Sequence, residues 1–122
     1  MTLTIPGINF SSVRDAGSCV IYSFAFPPGS EGEALDFILN HLVPNSEISV
    51  SDPANSDCSL EVRRTSNGLE LKRGCHGAFG TWRAATIQEA MSWLLPGAVA
   101  ASSTARPGFG GSIVFYKVAV RS

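Results

Sequence analysis

Residues 58–73 read Cys58-Ser59-Leu60-Glu61-Val62-Arg63-Arg64-Thr65-Ser66-Asn67-Gly68-Leu69-Glu70-Leu71-Lys72-Arg73. Two runs of alternating polarity flank turn-forming residues, the pattern of a β-hairpin. A two-residue Asn67-Gly68 turn would set Val62 opposite Arg73, apolar against charge. A loop over residues 65–68 sets Val62 opposite Leu71, Arg63 opposite Glu70 and Glu61 opposite Lys72. The second register matches apolar with apolar and joins opposite charges across the strands, so it is the expected one. Leu60, Val62 and Leu71 then face a core, while Glu61, Arg63, Glu70 and Lys72 face solvent. A sheet with one apolar face needs a cover of helices.

The rest of the chain supplies it. Residues 19–26, Cys-Val-Ile-Tyr-Ser-Phe-Ala-Phe, predict a central strand. Ser30 and Glu33 spell a capping box before a helix over about residues 31–43, with Leu35, Ile38, Leu39 and Leu42 on one stripe and Pro44 as its stop. Ile48 and Val50 alternate in a short strand over 46–51, and residues 52–57 read as a loop. A further strand is expected over 79–84. Thr86 and Glu89 repeat the capping box ahead of a helix that carries Ile87, Ala90, Met91 and Leu94 and stops near Leu95, before Pro96-Gly97. Residues 101–111 read as a flexible loop, and 112–120 as another central strand, with an extra strand near residues 3–5. The expected fold class is α+β: a mostly antiparallel sheet of about five strands with two amphipathic helices on one face, in a single domain over residues 1–122.

The 122 residues are 44% hydrophobic and 16% charged, enough for one packed core. No stretch approaches the roughly 20 apolar residues of a membrane span. The N-terminal residues do not read as a secretory signal. Cys19, Cys58 and Cys75 are odd in number and lack CxxC spacing, so reduced thiols and a cytoplasmic setting are expected. The net charge of −1 hides a split: residues 1–61 hold eight acids and one base, residues 62–122 eight bases and two acids. Either the two sets interleave on one surface or they mark an interaction surface.

Cys75 beside His76 is the one pair with nucleophile chemistry, since a thiolate needs a nearby base or positive field. Neighbours on a strand point to opposite faces, however. His41 and His76 are the only histidines and have no zinc-type spacing, so no metal and no cofactor is expected. His41 suits the C-terminal end of the first helix. The glycine-rich runs match neither phosphate-binding pattern. Arg63, Arg64, Lys72, Arg73 and Arg83 interleave with Phe79 and Trp82, a composition able to stack single-stranded nucleic acid. Glu61 and Glu70 among them, and a pI of about 6.1, oppose that.

Small size, an α/β pattern, an acidic segment and no catalytic motif together resemble bacterial toxin-immunity proteins. The resemblance implies a non-enzymatic inhibitor that covers a toxin, with a basic toxin domain as partner. On this reading Glu47, Asp52 and Asp57, in or beside a polar loop, are the expected contact residues. A single-stranded nucleic-acid-binding domain and a small Cys/His enzyme are the alternatives. Exposed sheet edges also allow two copies of the chain to pair as a homodimer.

Overall fold

A computed structural model describes residues 5, 8, 10, 12–15, 17, 19–24, 26, 29–75, 78–104 and 114–119; for 56, 78–79, 101–104 and 114–119 it describes the backbone alone. The elements run β1 (Ser12–Asp15), β2 (Cys19–Phe24), α1 (Glu31–His41), β3 (Glu47–Asp52), β4 (Asn55–Thr65), β5 (Gly68–Cys75), β6 (Ala78–Phe79), β7 (Arg83–Ala85), α2 (Ile87–Thr104) and β8 (Val114–Ala119). The fold is α+β. One antiparallel sheet has the order β1-β2-β8-β3-β4-β5-β6, with β7 also on β5. Among the described residues it holds eight strands where about five are expected. β2 and β8 are interior strands, as their two-sided apolar composition requires.

The hairpin register is the expected one: Val62 pairs with Leu71, Arg63 with Glu70 and Glu61 with Lys72. The turn is tighter than a four-residue loop, because Thr65 and Gly68 also pair. The Thr65 hydroxyl accepts from the Asn67 N–H at 3.2 Å and donates to the Gly68 carbonyl. Residues 52–57 are not a loop. β3 extends to Asp52 and turns through Pro53 and Ala54 into β4. The Asp52 carboxylate makes this possible by accepting the Ala54 N–H at 2.8 Å.

The core lies between the helices and one sheet face. Tyr22 and Phe24 of β2, Ile48 and Val50 of β3, Leu60 and Val62 of β4, and Leu69 and Leu71 of β5 pack against Leu35, Ile38 and Leu39 of α1 and Ala90, Leu94 and Ala98 of α2. Arg64 ties α1 to the sheet by donating from Nη2 to the Leu39 carbonyl at 2.9 Å. The added positive charge also suits the C-terminal end of the helix.

The two expected capping boxes diverge. In α2 the box is formed: Thr86 Oγ1 accepts the Glu89 N–H at 3.1 Å, and Glu89 accepts the Thr86 N–H at 3.3 Å. In α1 the Ser30 side chain makes no capping bond. The buried Glu31 carboxylate takes over, accepting the Gly29 N–H at 2.9 and 3.0 Å. α2 also continues past Pro96, against expectation. Ala90, Leu94 and Ala98 are spaced by four and fully buried, while Ser92 and Pro96 are exposed. Pro96 thus sits on the exposed side of the helix, and burial of the opposite stripe outweighs the proline cost. Gly97 fits this helix to the sheet: a Cβ there would lie 2.5 Å from the Ser51 carbonyl oxygen and 2.9 Å from Val50 Cγ1.

The strand expected over 79–84 is broken. Gly74 pairs with Phe79 and Leu71 with Arg83, so residues 80–82 lie opposite only Lys72 and Arg73. β6 and β7 are thus two halves of one edge strand joined by a bulge. β1 is an element that the sequence reading missed. The loop expected over 101–111 gives way to helix through Thr104, and the remainder of it lies outside the described residues, as do residues 3–4 of the expected N-terminal strand.

Candidate interaction surface

Strand alternation puts Glu47, Ser49 and Ser51 of β3, Asp57, Ser59, Glu61 and Arg63 of β4, and Glu70 and Lys72 of β5 on the sheet face opposite the helices. Across four strands, Lys117, Glu47, Arg63 and Glu70 occupy successive paired positions, a row of alternating charge. The next row places Ser49, Glu61 and Lys72 side by side. The two rows balance three cations against three anions. By register, charges from the acidic and basic halves of the chain therefore interleave here. The Arg63–Glu70 pair is closed, with Nη2 and Nε of Arg63 at 2.8 and 2.9 Å from Glu70 Oε1.

The bulge at residues 80–82 aims Trp82 onto this face. Arg63 Cζ lies 4.1 Å and Lys72 Nζ 4.6 Å from the indole centroid. Bulges often re-aim an edge side chain in this way. Gly80 permits the path, since a Cβ there would lie 2.5 Å from the Arg73 carbonyl oxygen. Arg83 is directed elsewhere, 5.8 Å above the Trp93 ring on α2.

The three acids expected at the contact separate. Glu47 and Asp57 share the outer face at opposite ends of the sheet, roughly 20 Å apart at about 3.3 Å per residue. Asp57 is exposed and Glu47 half-buried within the charged row. Asp52 instead lies on the core side, 8% exposed, with Oδ2 2.7 Å from Arg73 Nε. It closes a turn and pairs a cation. Trp82 and Arg63, absent from the expected contact set, also stand on the outer face. The signal that marks them is the basic and aromatic interleaving of residues 63–83, whose charges turn out to be balanced.

The expectation of three reduced thiols is overturned. Cys58 and Cys75 are directly paired across β4 and β5, with Cα atoms 4.1 Å apart and sulfurs bonded at 2.08 Å. Cys19 is the free cysteine, half-buried on β2. A bonded Cys75 is no nucleophile, and His76 lies outside the described residues. Asn55, Asp57, Cys58 and Cys75 line an open recess at this end of the sheet. At the far end of α1, His41 stacks on Phe37 at 4.0 Å and lies 2.7 Å from the Phe37 carbonyl, which accounts for its place. Among the described residues no helix is long and apolar enough to cross a membrane, and no three potential metal ligands cluster. No family model, curated protein or solved structure matches the chain.

Proposed function

We propose that this chain is a protein-binding domain that acts without catalysis, in the manner of an immunity protein, and that its outer sheet face is the contact surface. The observation that carries the reading is Trp82 seated on Arg63 and Lys72, on the face that neither helix covers. Tryptophan and arginine are the residues most enriched where binding energy concentrates. They are held here by a rigid sheet, so little side-chain freedom is lost on association. Glu47 and Asp57 flank this centre and suit a partner with a basic surface, such as a basic toxin domain. The balanced charge rows favour a protein over nucleic acid, which needs a net positive groove. The cytoplasmic setting expected from the cysteine count rests on reduced thiols. The Cys58–Cys75 bond favours an oxidising compartment, and we infer that setting instead.

The test places a photo-reactive amino acid either at Ser49 on the outer face or at Gln88 on the helix side, in the source cell. A partner joined from Ser49 and not from Gln88 supports the reading. Its affinity should then fall at least tenfold with Trp82→Ala and less with Glu47→Ala or Asp57→Ala. A partner joined equally from both positions, or an affinity unmoved by Trp82→Ala, refutes the surface.

A further inference from the structure

We propose that the Cys58–Cys75 disulfide is a thiol-exchange site, entered through the recess lined by Asn55 and Asp57, and that its reduction releases β6, the half of the bulged edge strand that precedes Trp82. Position argues for this. The last three residues of β5 hold the first half of that edge, while β7 keeps its own ladder on Leu69–Leu71: Arg73 pairs with Asp52, the Arg73 carbonyl lies against Gly80, Gly74 and Cys75 carry β6, and Cys75 is bonded to Cys58. β6 has only two residues, so its pairing depends on that end of β5 staying in place. The rest of the sheet has longer ladders, from β2 through β5, that do not depend on the bond.

Access argues for it too. Cys58 is buried, but Cys75 is half-buried and both cysteines line the open recess. A thiolate attacks Cys75 Sγ, the S–S bond breaks, and Cys58 Sγ leaves as a thiolate that takes up a proton. The second thiol of a dithiol, or a second monothiol, then attacks the mixed disulfide, freeing Cys75 and carrying away the oxidised reagent. The chain gains two electrons and two protons; the reagent loses them. Asp57 lines the recess together with both cysteines, so the site should prefer a cationic thiol to an anionic one.

The experiment treats the full oxidised chain, without denaturant, with cysteamine or 2-mercaptoethanesulfonate. Released cysteines are counted by alkylation and mass spectrometry, and rates are compared per thiolate. Reduction should be first order in thiol and should outpace global unfolding. The cationic reagent should lead by about two- to fivefold at low salt, the scale of one nearby charge in water, and Asp57→Asn should shrink that lead. Hydrogen exchange of the reduced protein should accelerate at least tenfold at residues 78–80 while β3 and β7 stay protected. A reduction rate that saturates at the unfolding rate, a reagent preference unmoved by Asp57→Asn, or exchange that rises uniformly or not at all would each overturn the proposal.

Discussion

Gly97 and Gly32 are both helical glycines, and replacing each with alanine should move stability in opposite directions. In an open helix interior, alanine is favoured over glycine by about 0.8–1 kcal/mol. Gly32 lies in the first turn of α1, and a Cβ there meets nothing within 4 Å. Gly32→Ala should therefore stabilise by about 0.5 kcal/mol, somewhat below the interior value because the first turn is less constrained. Gly97 gains the same helix preference but not the same space. Its new methyl would lie 2.5 Å from a backbone oxygen of Ser51 and 2.9 Å from Val50 Cγ1. The oxygen belongs to Ser51 of β3, which is paired with Ser59 of β4 next to a residue, Val50, paired on both sides, so it cannot step aside cheaply. α2 must lift by somewhat under 1 Å, which also loosens Leu94 and Ala98; overpacking of this kind costs about 1–3 kcal/mol. The net expectation is a loss of about 1–2 kcal/mol, or roughly 3–8 °C in midpoint for a domain this size. Urea denaturation at one temperature measures both variants. If Gly97→Ala stabilises the protein as Gly32→Ala does, α2 does not rest on the β3–β4 turn and the account of its passage through Pro96 fails.

Thr86→Ala should cost about 1 kcal/mol through loss of a formed capping box, whereas Ser30→Ala should leave the denaturation midpoint nearly unchanged. Equal losses in the two variants would contradict the exchange of Ser30 for Glu31 at the start of α1. Asp52→Ala should lower stability by about 2–3 kcal/mol, because it strips a charged partner from Arg73 and from the Ala54 N–H; a wild-type midpoint would return Asp52 to the set of contact acids. The Cys58→Ser, Cys75→Ser double variant should lose about 3 kcal/mol, the entropy scale of a loop near 15 residues, while keeping a cooperative transition. A gain or no change in that midpoint would show that the bond adds nothing to an already closed hairpin.

Local chemistry alone determined most of the elements. The register of β4 with β5 was legible because a slip by one residue turns a whole strand inside out, and Val62, Leu71, Arg63 and Glu70 each penalise that slip. The stripe of α1 and the interior character of β2 and β8 were legible for the same reason: each pattern has one burial geometry that satisfies it. Pro96 misled because its local cost is visible in sequence while the reward, burial of Leu94 and Ala98 against the sheet, belongs to distant strands. Residues 52–57 misled because a loop and a tight turn closed by Asp52 share one composition. The disulfide was within reach of the sequence, since the register that sets Val62 opposite Leu71 also sets Cys58 opposite Cys75 when carried along both strands; the odd cysteine count and the lack of CxxC spacing pointed instead to reduced thiols. The candidate surface was decided by the tertiary structure. The charged row gains Lys117 only because β8 inserts between β2 and β3, and Trp82 reaches Arg63 through a one-residue bulge. Such pairings depend on long-range strand order, which no nearest-neighbour pattern in the chain encodes.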